Sequence, residues 1–466
     1  ADDILMTPGQ PNILRGPNGF EWWLIYMANK NDEHRGQYIN RVQFFDKTLF
    51  VDGITGPRTA GYHPEPSMPT FAGKGETASF GVLQQVQPSV AYLFETGVKT
   101  EGGAGVIAWW KDADNCAYVG LDAENRSWYL RTLVGGKENK ESYALPEDFR
   151  WGVYHHLRIE RNGGCLKIWL DEIPAPGRHV FAEALPVEEA GVPGVFDETK
   201  SALFEGATYT IGFDDVHFQL SGNEELLKGD FLNDYEFSFQ LPGLSGQDKA
   251  GSYPVYVDKD NYVKAQFDGI TRMLEVTAVK KGKTAWKKEF PLGCLQTLYP
   301  DVKYTDFIEK GYRFAAPAWL DTLYLNRHEA GNKSEFVDDM FGKFDIEYLN
   351  GGEWHPIENK DRGIAEHPAY NYCTFTPVKA EGIRFINKEA EDLERHIYKI
   401  GVHELWKESY NFRAVRRADK LYLFVDGREL GALDIRYPAS RIGFCSEGGS
   451  PVYSGTLYYH VGQRRD

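Results

Sequence analysis

The stretch Ala104–Asp122, AGVIAWWKDADNCAYVGLD, returns as Ala250–Asp268, AGSYPVYVDKDNYVKAQFD, with no gap and a constant offset of 146 residues. Asp112, Asp114, Asn115 and Asp122 are matched by Asp258, Asp260, Asn261 and Asp268. Further on, LRIERNGGCLKIWLDE (157–172) lines up with FRAVRRADKLYLFVDG (412–427), pairing Arg158, Arg161, Leu166 and Asp171 with Arg413, Arg416, Leu421 and Asp426. Ile211-Gly212-Phe213 has an echo in Ile442-Gly443-Phe444. Each copy reads as strands joined by tight turns. A period this long is not a solenoid's, so the duplication predicts two whole domains of one fold.

Composition agrees with strands. Aromatic residues make up 14% of the chain, with 48 Gly and 23 Pro to make turns. The net charge of −16 argues against nucleic acid as a partner, since that binding rests on Lys and Arg neutralising phosphates. No apolar run approaches the roughly 18 residues of a membrane span, and Ala1-Asp2-Asp3 has neither part of a signal peptide. The five cysteines, 116, 165, 294, 373 and 445, have neither disulfide nor zinc spacing and read as small core residues.

In chain order, residues 1–56 hold a Pro17-Asn18-Gly19 turn and strands over Glu21–Met27, Tyr38–Phe45 and Thr48–Val51. This predicts a β-meander. Three prolines within Pro64–Pro69 mark residues 57–79 as a linker or strap. Residues 80–220 form the first sandwich, with regular short strands and turn signals. The second comprises 221–320 and 407–466, because the offset grows from 146 to 255 (Arg158 to Arg413) and about 109 residues are added inside it. Residues 321–406, with FDIEYLNGGEWHPI, YCTFTPVKAEGIRFI and YKIGVHELW, are predicted to be an inserted sandwich.

Three resemblances attach to these motifs. TPGQPNILRGPNGFEWWLIYMANK with its Arg-containing next strand resembles the last blade of the five-bladed β-propeller of glycoside hydrolase family 43. YVGLD after its DxDN turn, and YHHLRIERNGGCLKIWLDE, resemble the concanavalin-A-like or laminin-G-like jelly rolls that follow that propeller. The Asn-Gly-Gly-Trp-type turn and the GVHELW ending resemble a discoidin or galactose-binding-like sandwich. The fold implied is all-β: a partial propeller blade, then two concanavalin-A-like β-sandwiches, the second interrupted by a galactose-binding-like one.

Glycoside hydrolysis needs two placed carboxyl groups, and the resemblance puts the family's acids on blades before the last. A full propeller needs about 280 residues, so no catalytic residue is assigned. Asp46, Asp52 and Glu65 read as solvated loop carboxylates. The blade could lend sugar contacts through Gln10, Asn12 and Arg15; relatives commonly carry His where Gln10 and Met27 stand.

Sugar binding wants an aromatic plane beside hydrogen-bonding groups. Alternation turns Leu166, Ile168 and Leu170 inward and Trp169 outward. It likewise turns Ala117, Val119 and Leu121 inward and Tyr118 outward, and sends Trp109 and Trp110 to opposite sides. Each of these aromatics could equally pack against a neighbouring domain. No metal or cofactor is assigned; the DxDN turns could offer calcium its oxygen ligands, and are also ordinary turn formers. The expected partner is a polysaccharide or oligosaccharide, with the rest of a catalytic propeller as a second partner. The expected location is secreted, periplasmic or cell-surface. The reading is the glycan-holding part of a family 43-like hydrolase, and the alternative is a non-catalytic adhesion protein.

Overall fold

The computed structural model describes residues 5–30, 35–45, 48–52, 65–73, 76–77, 81–171, 173–174, 189–244, 248–298, 307, 310–326, 342, 344–358, 361–364, 370–387, 399–407 and 409–462. Among these the chain is all-β, in five antiparallel sheets.

The duplication is visible strand by strand. In the first half, a five-stranded sheet runs in the order Lys137–Ala144, Ser127–Val134, Asn115–Asp122, Gly103–Asp112, Val192–Asp197. Its partner layer runs Ile173–Pro174, Cys165–Leu170, Tyr154–Asn162, Ala91–Lys99, Leu203–Gln219. In the second half the first order becomes Lys283–Pro291, Met273–Lys280, Asn261–Asp268, Lys249–Asp258, Ser440–Glu447, with Glu225–Leu232 added at the edge. The partner layer is Arg428–Asp434, Lys420–Val425, Tyr410–Arg417, Asp234–Leu241, Val452–His460.

Contacts between layers are duplicated too. The Tyr92 hydroxyl donates to the Ala108 carbonyl at 2.6 Å, and the Tyr235 hydroxyl to the Pro254 carbonyl at 2.6 Å. Each crosses the core and satisfies a polar group that burial would otherwise penalise. Asp171 and Asp426 both adopt left-handed backbone, φ 53° and 50°. Their carboxylates accept from the His156 and Asn411 amides, which closes the same turn twice. In the DxDN hairpins, Asp112 accepts from the Asp114 amide and the Asn115 side chain, and Asp258 from Asp260 and Asn261. These aspartates are engaged as turn formers.

The Ile-Gly-Phe echo is not part of the duplication. Ile211 lies in the strand that pairs with Ala91–Lys99, whereas Ile442 lies in the strand that pairs with Lys249–Asp258. By register Phe196 faces Gly105 as Cys445 faces Gly251, so the strand carrying Ile442 corresponds to Val192–Asp197.

The two sandwiches share a layer. Leu203–Gln219 is 17 residues long; its first half pairs with Ala91–Lys99 and its second with Val452–His460, from Gly212↔Tyr459 to Gln219↔Val452. The two partner layers therefore form one twelve-stranded sheet, which the short strands Phe71–Ala72 and Glu76–Thr77 join along Leu203–Gln219. One apolar core runs through both sandwiches, including Trp109, Phe204 and Ile159 of the first and Phe237, Phe412 and Phe444 of the second. Each such side chain, fully buried, is worth roughly 1.5–3 kcal/mol.

A seven-stranded sheet begins at Cys294–Leu298, well ahead of Asp321, and ends at Lys399–Trp406, directly before Tyr410–Arg417 of the second sandwich. It has its own core around Leu320, Leu323, Ile346, Ile383 and Val402. Gly351 and Gly352 at φ 60° and 84° make its Asn-Gly-Gly hairpin turn.

Leu5–Arg15, Trp22–Lys30, Arg35–Phe45 and Thr48–Val51 form a four-stranded meander in chain order. It sits on the twelve-stranded sheet near the joint. Phe20 packs with Leu93, Tyr459 and Val461, and the Arg158 guanidinium donates to the Gly19 carbonyl. Beside them lies a buried ionic cluster. Arg41 contacts Glu21 at 3.1 Å and Glu236 at 3.0 Å, while Arg413 contacts Asp52 at 3.2 Å. Asp52 is thus no solvated loop carboxylate: it is buried at the end of its strand, where Arg413 offsets only part of the solvation it loses.

Candidate functional site

The outer face of the five-stranded sheet is assembled by three cross-strand rows, because side chains in register share a face. One row is Phe196, Gly105, Gly120, Tyr129, Ser142. The next is Gly194, Ile107, Tyr118, Arg131, Lys140. The third is Trp110, Cys116, Leu133, Glu138. The opposite face, with Val106, Val119, Leu121 and Leu130, is the sandwich core.

Aromatic rings and charged groups interleave on this face. The Arg131 guanidinium lies 4.4 Å over the Tyr118 ring, and Lys140 Nζ lies 4.1 Å over Tyr129. Tyr118 meets Phe196 edge-on at 5.2 Å. The Tyr129 hydroxyl donates to Glu198 at 3.3 Å. Gly120 is required beneath it, since a Cβ there would come within 2.4 Å of the Tyr129 ring. Burial pushes the Tyr118 hydroxyl up to about 12, and burial with Glu198 alongside pushes Tyr129 up as well. Both therefore remain protonated hydrogen-bond donors throughout the physiological range.

The second sandwich does not repeat this chemistry. Lys264 stands at the place of Tyr118, Thr277 at that of Arg131 and Cys445 at that of Phe196. Lys264 is held by Glu447 at 2.7 Å, and the additional edge strand Glu225–Leu232 brings Glu225 onto the Tyr253 hydroxyl. The duplicated scaffold has diverged on this face.

The seven residues proposed from sequence are dispersed. Trp110 and Tyr118 share the face just described. Trp109 is 0% exposed, against Gly191 and 5.4 Å from the Arg161 guanidinium, so it offers no plane to a ligand. A register shift between Ile107 and Trp109 puts both Ala108 and Trp109 on the core side. Trp169 points outward from the other layer, half-buried, with the Arg158 guanidinium 5.2 Å over its ring. Its counterpart Phe424 has Arg413 at 3.9 Å. Gln10, at φ 51°, and Asn12 are exposed on the first strand of the meander, where the pairing is irregular. Arg15 lies 4.9 Å over Trp22. Sequence reasoning missed Arg131 and Phe196, and with them Tyr129, which at 2% exposed supports the face from beneath and offers no plane of its own. The signal was present in SWYLRTLV, where inward Trp128 and Leu130 leave Tyr129 and Arg131 outward. Among the described residues, no group of three or more His, Cys, Asp or Glu could hold a metal ion. None of their helices is long and apolar enough to cross a membrane.

No protein-family profile matches the sequence, and no curated protein matches it. Solved structures give distant likenesses. The carbohydrate-binding module CBM66 from Bacillus subtilis is 20% identical, over 29% of this chain and 83% of that one, at a TM-score of 0.23. Domains LG4-5 of the mouse laminin alpha1 chain are 12% identical over 82% of this chain and 80% of that one, at 0.20. The GH43 protein BlXynB from Bacillus licheniformis is 12% identical over 43% of this chain and 53% of that one, at 0.21.

Proposed function

We propose that this chain is a glycan-binding part of a carbohydrate-active protein, and that it holds polysaccharide on the outer face of its five-stranded sheet. The observation that carries this is the interleaving of Trp110, Tyr118 and Phe196 with Arg131, Lys140 and Glu198 on one sheet face. Sugar rings stack their C–H faces on aromatic planes and direct hydroxyls to charged groups at the margin. A sheet face suits an extended chain of sugars better than a deep pocket would.

The finer reading makes the two sandwiches concanavalin-A-like jelly rolls, the inserted sheet galactose-binding-like, and the N-terminal meander the terminal blade of a propeller. Ile13, Leu14, Ile39, Phe44 and Leu49 of the meander are exposed, which supports a further sheet packing there. Hydrolysis would then belong to acids outside this chain, and the protein would work outside the cell or at its surface.

Calorimetric titration with oligosaccharides of xylan, arabinan and galactan tests the site. Tyr118→Ala with Arg131→Ala is expected to weaken binding at least tenfold with the melting temperature nearly unchanged, while Trp169→Ala binds as the parent does. Binding that is absent from the parent at millimolar sugar, or indifferent to the double substitution, would overturn the assignment. A parallel reducing-sugar assay is expected to show no release by this chain alone.

A further inference from the structure

At the end of the inserted sheet, where Lys399–Trp406 runs on into the second sandwich, lies a cleft of about 300 Å³, lined by Tyr312, Phe314, Ala316, Glu404, Lys407 and Ser409 among others. Its wall is a deliberate irregularity. Tyr312–Asn326 pairs with Tyr370–Asn387 at Arg313↔Gly382 and next at Ala318↔Ala380, so residues 314–317 bulge away from the ladder. Bulges of this kind commonly re-aim side chains beside sites. Glu404 is buried at the junction, on the same side of its strand as Val402 and Trp406, which belong to the cores on either side. Lys407 is held by Asp426 at 3.1 Å.

We infer that this cleft is a second binding site, separate from the sheet face, for one or two neutral sugar rings. Size is the first reason: the volume is at the lower end of small-ligand pockets and too small for a folded segment. Charge is the second. Lys407 is offset by Asp426, and burial pushes the Glu404 carboxyl up to about 7, so near neutrality the cleft carries only a fraction of one negative charge and no unpaired cation. Surface character is the third. Tyr312, Phe314 and the Ala-Ala-Pro bulge give apolar contact, while Glu404 and Ser409 can each donate or accept toward hydroxyls. The sugar class follows from this cleft's own lining and does not depend on the sheet-face reading.

Saturation-transfer NMR with the methyl pyranosides of glucose, galactose, xylose and arabinose tests it on the whole chain. At least one is expected to bind the parent and Tyr118→Ala equally, and to bind Ala316→Trp at least tenfold more weakly. Ala316 is exposed, so the indole fills the cleft without disturbing the core. Glu404→Leu, which keeps the junction apolar, is expected to give the same loss. Absence of binding to the parent, or binding that survives Ala316→Trp, overturns the inference. Loss in Tyr118→Ala alone would move the monosaccharide to the sheet face and equally overturn it.

Discussion

Glu236→Ala is expected to destabilise the protein by about 3–5 kcal/mol and to free the N-terminal sheet from the twelve-stranded one. Glu236 is 1% exposed, and Arg41 and Arg413 both converge on it, at 3.0 and 3.8 Å. Arg41 also donates to the Tyr459 hydroxyl at 2.7 Å, and its guanidinium lies 5.1 Å from the Trp23 ring. Two arginines thus face the three carboxylates of Glu21, Asp52 and Glu236, all of them buried. Removing the central acid still leaves Glu21 for Arg41 and Asp52 for Arg413, but it takes away the one carboxylate that both guanidiniums share and opens a cavity between them, and the cheapest relief is to let the meander swing away. Denaturant unfolding should show the loss, and limited proteolysis should cut within residues 1–56. A loss under about 1 kcal/mol with the meander still protected would show that the apolar contacts of Phe20 suffice.

The same cluster sets an acid limit. Burial works against the Glu236 carboxylate, but the two arginines outweigh it and hold its pKa below the ordinary value. A depressed carboxylate contributes stability that is present above its unfolded pKa and is lost as pH falls through the folded one. Docking should therefore persist at neutral pH and fail in acid below the usual glutamate range. Asp52 opposes this slightly, since burial prevails over Arg413 and raises its pKa. Glu236→Gln should remove the steepest part of the acid transition while keeping the shape of the side chain.

That cluster also shows where a sequence stops being legible. Alternation placed Leu166, Ile168, Leu170, Ala117, Val119 and Leu121 inside, because burial on one face of a strand is a local property. The duplication was legible because both copies keep the same turn chemistry at Asp112 and Asp258 and at Asp171 and Asp426. Nothing local distinguishes Glu236 or Arg413 from surface charges: each is made internal by a partner, Arg41 or Asp52, that is distant in the chain. Leu93 occupies the place of Glu236 in the first copy, where Phe20 packs on it, so the meander reads two different surfaces from one repeated strand. The joint between Leu203–Gln219 and Val452–His460 is non-local as well. The candidate site lies between these cases. Its rows follow once register is known, but register across five strands is fixed by the fold and not by any single strand.

The shared sheet leads to the other large effect. Arg161 and Arg416, both 0% exposed, hold equivalent places in the two sandwiches. Arg161 donates to the carbonyls of Gly163 at 3.1 Å, Ser89 at 3.1 Å and Glu189 at 2.6 Å. Arg416 donates to those of Ala418 at 3.2 Å, Tyr437 at 2.7 Å and Pro438 at 2.9 Å, and to the Ser440 hydroxyl. Each guanidinium thereby ties the end of a hairpin to the loop leading into the next strand, and it rests near a core tyrosine, Tyr92 or Tyr235. Alanine in either place strands several buried carbonyls, at about 1–3 kcal/mol for each left unsatisfied, and opens a cavity besides. A loss of about 3–5 kcal/mol is expected for each, and lysine should not rescue it, since an ammonium lacks the planar fork. The informative readout is the shape of the transition. Two sandwiches that merely followed one another would unfold separately, and Arg416→Ala would split the melt by lowering its own half. Joined through one sheet and one core, they should unfold together, so that either substitution shifts a single calorimetric transition. A second, unshifted peak in Arg416→Ala would show that the strand pairing from Gly212↔Tyr459 onward contributes too little to couple them.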